Sequence, residues 1–328
     1  MANQQKKPLR LLNPFRWDKS AKRDAEAEDT KPTLKRFFVL LYRRFWKLIS
    51  LNLLMIPMVL PFLLIAILLI SAKQTPTETE PVFSVLFGIE RLSGSPHSAL
   101  LIDLFGSQTG IPVYKPVTYI FIGICVLFLI VTFGWQNVGA TYVLRGLVRG
   151  DAVFVLSDYF YAIKKNLKKG FFLGLLDLVI LALLFFDIQY FSGVSGSFFL
   201  DFMFFTVCAV AIIYFFMRFY LYLLEVTFEL SIGKIFKNAL IFTALGVKRN
   251  LMAFLGIALL TAIDLGLIAL FFPLNIPIPI ILPFFYYVSF TSFTSAYAAY
   301  PVIDKYMIAP YQKQEATEEI DEGSGETE

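Results

Sequence analysis

Hydrophobic positions along this chain fall into long unbroken runs, with polar residues gathered between them. Six runs stand out, over residues 46–72, 117–138, 171–191, 198–224, 251–272 and 276–300. Each reaches the ~20 residues that an α-helix needs to cross a hydrocarbon layer. A helix also closes its own backbone hydrogen bonds, as lipid requires. The pattern predicts an all-α membrane protein with six transmembrane helices arranged as three hairpins.

Two of the polar intervals keep a helical period. After Ser157-Asp158, which can cap a helix, Tyr159, Phe160, Ile163 and Leu167 fall on one side, followed by Lys164, Lys165, Lys168 and Lys169. Ser231 can cap a helix over 232–245, with Ile235, Phe236, Leu240 and Phe242 apolar and Lys234 and Lys237 polar. Both segments, within 151–170 and 225–250, read as amphipathic helices on the inner membrane surface. Docking of a cytoplasmic partner is one use for them; a belt that only orients the hairpins is the other. The interval 73–116 is a long outer loop with room for a short helix over 82–92. Pro57 and Pro61 predict a kink in the first span, and Pro273, Pro277, Pro279 and Pro283 an irregular start to the last.

Composition settles class. Charged residues make up 16% and hydrophobic ones 57% of the chain, whereas a soluble domain carries about a quarter charged. Two soluble domains, which length alone would allow, are thereby excluded. Charge then gives orientation. Lys and Arg number thirteen up to Lys47, three in 73–116, six in 139–170, none in 192–197, four in 225–250 and none in 273–276. The excess of cations on alternate loops places both termini in the cytoplasm. The organisation expected is a basic N-terminal tail over 1–45, a membrane domain over 46–305, and an acidic, disordered tail over 306–328.

Hairpins two and three echo each other. Lys164-Lys165-Asn166-Leu167 precedes Phe171-Phe172-Leu173-Gly174, and Lys248-Arg249-Asn250-Leu251 precedes Ala253-Phe254-Leu255-Gly256. A weaker echo sits at Arg43-Arg44 and Asn52-Leu53-Leu54. Duplication explains the echo, and so does convergence on a basic helix start.

Catalytic parts are missing. The sequence has no phosphate-cradling loop, zinc-hydrolase helix motif or nucleophile elbow. One histidine, His97, and two cysteines within apolar runs, Cys125 and Cys208, supply neither a metal set nor a thiol nucleophile. No enzyme activity, cofactor, metal or nucleic-acid partner is expected. The deep polar residues are the candidates left. Asp177, Asp264, Arg218 and Asn52 form a candidate intramembrane polar site, because an ionisable group in lipid is costly unless paired or hydrated. The other reading is structural pairing between helices. Lys164, Lys165, Asn166, Lys237, Arg249 and Asn250 are candidate cytoplasmic docking residues.

Several segments resemble the bacterial YesL-like family, a membrane domain of unknown function. Those segments are Asn13-Pro14-Phe15-Arg16-Trp17-Asp18, Phe45-Trp46-Lys47-Leu48, Gly139-Ala140-Thr141-Tyr142-Val143-Leu144-Arg145, Val148-Arg149-Gly150-Asp151, and Val226-Thr227-Phe228-Glu229-Leu230-Ser231. The first hairpin departs from the family, since an outer loop and a second span separate Pro61 from Gly139. The resemblance implies a bacterial inner-membrane location and a link to carbohydrate uptake, and it supplies no catalytic residues. Three functional expectations follow. One is an accessory component that docks a carbohydrate importer or another membrane protein, in the lipid bilayer. Another is a transporter or channel using the intramembrane acids, with a signalling or assembly scaffold as a third possibility.

Overall fold

The computed structural model describes residues 32–70, 73–76, 110–193, 197–271 and 278–310. The expected helix over 82–92, His97, Pro273, Pro277, the Asn13–Asp18 segment and residues 311–328 of the acidic tail lie outside the described residues; residues 306–310, placed in that tail by the sequence, are helical instead.

Among the described residues the chain is helical apart from one short ladder. In order come α1 (Leu34–Arg43), α2 (Phe45–Ile70), β1 (Lys73–Pro76), β2 (Gly110–Val113), α3 (Pro116–Arg149), α4 (Val155–Lys165) and α5 (Leu167–Gly193). Then follow α6 (Phe198–Thr227), α7 (Ile232–Leu245), α8 (Val247–Phe271), α9 (Ile278–Ile281), α10 (Pro283–Ile303) and a π-helical turn over Asp304–Ile308. Strands β1 and β2 pair antiparallel, Lys73 opposite Val113 and Pro76 opposite Gly110, and so tie together the two ends of the long interval 73–116.

Among the described residues, five helices are long and apolar enough to cross a membrane: α2, α3, α5, α6 and α8. With this many such helices the chain reads as a multi-pass membrane protein. The sixth run divides into α9 and α10, with Pro283 starting α10. Helix α10 is not among the five, because Ser, Thr and Tyr residues break up its apolar character. Pro57 and Pro61 lie inside α2 without ending it.

Two sequence boundaries move. Helix α3 runs eleven residues past Val138 to Arg149, through a segment that reads as loop. Residues 34–43, read as the end of a polar tail, form α1, with Thr33 Oγ1 accepting from Arg36 N at 3.3 Å. The start of α4 also differs from expectation. It begins at Val155, with Phe154 as its cap, and Asp158 Oδ2 accepts from Phe154 N at 2.8 Å. Helix α7 starts after Ser231 as the sequence suggests.

The backbone shows a repeat more clearly than the sequence does. Three times a short helix is followed by one bent residue and a long apolar helix: α1–Arg44–α2, α4–Asn166–α5 and α7–Gly246–α8. The bent residues share one conformation, with φ, ψ of −101°, 9° at Arg44, −115°, 25° at Asn166 and −94°, 8° at Gly246. Each carbonyl still accepts from the amide four residues on, at 3.0, 2.7 and 2.9 Å. The junction is therefore a kink that keeps the helical ladder alive. In this register Asn166 matches Gly246, so Lys168-Lys169 align with Lys248-Arg249. The sequence echo that pairs Asn166 with Asn250 is four residues out.

The chain divides into two compact units, Ile56–Gly134 and the remainder. The smaller holds the second part of α2, the ladder and the first part of α3. In the larger, α6 is the hub, packed by α5, α7 and α10, while α8 packs on α10. Residues 219–225 of α6 are all buried, and a helix buried on every side lies in the middle of a bundle. Burial gathers at the end of this unit where the short helices sit. Toward the other end, Phe185, Phe186, Phe198, Phe199 and Phe205 are exposed. Apolar surface on that scale suits lipid contact.

Candidate intramembrane polar site

Asp177 lies on α5, fully buried, where α6 crosses it. Its partners come from α6 at four-residue spacing: Tyr214, Arg218 and Tyr222. Residues four apart share a helix face, so one side of α6 offers two hydroxyls and a guanidinium together. Tyr214 donates to Oδ1 at 2.8 Å and Tyr222 to Oδ2 at 2.7 Å. Arg218 Nε is 3.1 Å from Oδ1 and 3.2 Å from Oδ2. The carboxylate is thus neutralised and its lone pairs are occupied, which is what lets a charge stay at this depth.

The remaining candidates gather elsewhere in the same unit, both against α10. Asn52 on α2 donates through Nδ2 to Phe284 O at 2.6 Å, and its Oδ1 accepts from Ser289 N at 2.9 Å. One buried amide side chain thus serves two backbone groups of α10. On α8, Asp264 Oδ1 accepts from the Tyr286 hydroxyl, while its Oδ2 is buried with no hydrogen-bond partner. The structure therefore brings Asp177 and Arg218 together and bonds Asn52 and Asp264 separately to α10. Each cluster ties one helix to another.

Asn250 is also structural in geometry. It is 1% exposed, its Oδ1 accepts from Tyr220 at 2.7 Å and its Nδ2 donates to Thr243 O at 3.2 Å. Helices α6, α7 and α8 meet there. Gly246 makes room for the contact, because a Cβ at that position would collide with the Tyr220 hydroxyl. Asn166 is half-buried and donates to Ala162 O at 3.0 Å. Lys164, Lys165 and Lys237 are exposed and Arg249 is half-buried.

The short helices bury one side and show apolar residues on the other. In α4, Tyr159 and Ala162 face inward, with Leu156, Phe160 and Tyr161 exposed. Burial pushes the Tyr159 phenol well above its ordinary range, so it stays neutral. In α7, Ile235, Ala239 and Phe242 form the inward stripe, whereas Leu240, placed on that side by the sequence pattern, is exposed.

The segment leading into α4 is built by small residues and one arginine. A Cβ at Gly139 would lie 2.8 Å from the Tyr159 ring, and one at Gly146 2.6 Å from Val153. Gly150 takes φ of 91°, a conformation open to glycine, and its carbonyl accepts from Arg44 at 3.2 Å. Arg145 donates to Val226 O and lies 3.3 Å from Thr227 Oγ1. A guanidinium there satisfies the last carbonyls of α6. Trp135 Nε1 donates to Leu167 O at 2.8 Å.

These contacts all fall on one stretch of chain and its partners. Residues 116–188 match the family described as protein of unknown function, DUF624. The matched segment runs from the start of α3 through α4 and most of α5, and it includes Asp177. No curated protein and no solved structure matches the chain.

Sequence reasoning missed Tyr214, Tyr222 and Tyr286. The four-residue spacing of Tyr214, Arg218 and Tyr222 was the available signal. Glu225, near the end of α6, is 3% exposed, and its two carboxylate oxygens have no hydrogen-bond partner. Among the described residues no group of three or more His, Cys, Asp or Glu is placed to hold a metal.

Proposed function

We propose that the chain is a non-enzymatic membrane protein acting as an accessory component in carbohydrate uptake, with a partner docked on its short helices. One contrast carries this reading. Asp177, Arg218 and Asn52 are spent on partners within the chain, whereas Lys164, Lys165 and Lys237 stand exposed beside the exposed apolar residues of α4 and α7. In the full topology α10 is the sixth crossing, both termini are cytoplasmic, and α1, α4 and α7 lie along the inner face of a bacterial inner membrane. The threefold kink supports that placement, since each short helix precedes an outward-running span. The sugar importer as partner rests on the family resemblance. The test is crosslinking and affinity capture from native membranes, with and without sugar. The triple charge reversal Lys164→Glu, Lys165→Glu, Lys237→Glu should release an importer subunit that the parent chain captures; no capture by the parent defeats the proposal.

A transporter is the second reading, favoured by Glu225 and by Asp264 Oδ2, buried carboxyl groups with open hydrogen-bonding capacity. Solute flux in reconstituted vesicles, lost on Glu225→Gln or Asp264→Asn, would establish it.

A further inference from the structure

A groove of about 510 Å³ lies between α1, α8 and α10, and none of the clusters described above uses it. Helix α1 is held over it from one side. Phe37 packs on Phe293 and Tyr297, at ring-centroid distances of 5.7 and 5.3 Å, and the Tyr297 hydroxyl donates to Thr33 O at 2.7 Å. The groove wall is apolar along its length, through Phe38, Met252, Leu259 and Ile263, and basic at one end, where Lys248 and Arg249 begin α8. Among the described residues no ion pair engages either cation.

Length and polarity together select the occupant. From Lys248 to Ile263 the lining follows fifteen residues of helix, about 22 Å at 1.5 Å each. One leaflet of a bilayer, headgroup included, measures about 20–22 Å. Cations at the level where α8 starts, followed by an open apolar channel of leaflet depth, match an anionic headgroup with an acyl chain beneath it. Basic pockets between membrane helices recognise anionic lipid in this way. Phe38 and Leu259 are exposed at 62% and 64%, so the channel is open for a chain to enter sideways from the bilayer.

We propose that this groove is a binding site for one anionic phospholipid, with Lys248 and Arg249 holding the phosphate and the α1–α8 channel holding an acyl chain. The proposal rests on the chain being a membrane protein and not on any docked partner.

Native mass spectrometry of the full chain in detergent, titrated with phosphatidylglycerol and with phosphatidylcholine, tests it. The expected result is one saturating phosphatidylglycerol per chain, bound at least tenfold more tightly than phosphatidylcholine. Lys248→Glu with Arg249→Glu should abolish that preference. Gly256→Leu should weaken the first site for both lipids; a Cβ at Gly256 meets Thr294 Cγ2 at 3.6 Å, an ordinary contact. A thermal melt of each variant confirms that it is folded. Equal binding of the two lipids, a preference unchanged by the double reversal, or lipid entering only after residues 311–328 are removed would each overturn the assignment. Capture experiments with Lys164, Lys165 and Lys237 variants leave this readout untouched, so the two proposals fail separately.

Discussion

Replacing Asp177 with Ala removes the one acceptor shared by Tyr214, Tyr222 and Arg218. Arg218 then loses the Asp177 carboxylate, and two phenol hydroxyls lose their shared acceptor. Polar contacts between membrane helices average about 0.6 kcal/mol and reach about 1.7. Hydrogen bonds to a charged group contribute about 1.5–3 kcal/mol in soluble proteins. The Arg218 side chain keeps 30% exposure, so its share is discounted for solvent screening. Three contacts on these scales give a loss of about 2–5 kcal/mol. Reversible unfolding by sodium dodecyl sulfate in mixed micelles measures it. A second variant separates pairing from packing: Asp177→Leu with Arg218→Met removes both charges, and an apolar replacement of a buried pair is close to neutral. The double variant should therefore be at least about 1 kcal/mol more stable than the sum of the single changes. A loss below about 1 kcal/mol for Asp177→Ala, or strict additivity in the cycle, would refute a structural role for the cluster.

Other outcomes follow from the same geometry. Glu225→Met should leave stability unchanged or raise it in the same micelle assay, because it removes a buried carboxyl with no hydrogen-bond partner; a marked loss would point to a partner this account lacks. Asn52→Leu removes two hydrogen bonds between α2 and α10, and a decrease of about 1–3 kcal/mol is expected. Gly246→Ala should destabilise by about 1–3 kcal/mol through overpacking against the Tyr220 hydroxyl. Adding Tyr220→Phe should recover part of that loss in a thermal melt, and no recovery would locate the clash elsewhere.

The apolar runs were legible because lipid imposes a single demand, uninterrupted length, and that demand shows in the bare sequence. Ends of helices were harder. Arg145 and the glycines near it look like loop chemistry, yet α3 continues through them because Arg145 finds the end of α6 and Gly139 lets Tyr159 approach. Asp177 and Arg218, both visible in the sequence as ionisable residues within apolar runs, lie side by side on α5 and α6. The tyrosines that complete their cluster were hidden by a surplus of aromatic residues with an obvious lipid role. Asn52, Asp264 and Asn250 were marked as polar residues worth attention, but their partners lie far along the chain, on α10 and α6, where no local pattern points. The repeat shows the same limit. Its sequence echo follows Lys-Lys-Asn and Lys-Arg-Asn, whereas the chain repeats a backbone kink that Arg44, Asn166 and Gly246 adopt with unrelated side chains.

The threefold kink implies that α1, α4 and α7 share one face of the membrane. Single cysteines at Lys35, Lys164 and Lys237, in a chain lacking Cys125 and Cys208, can be labelled with a membrane-impermeant maleimide in intact cells and in inverted vesicles. All three should react only in inverted vesicles, while cysteines near residues 90 and 195 react in intact cells. Labelling of any of the three short helices from outside, or of all five positions from one side, would contradict the account.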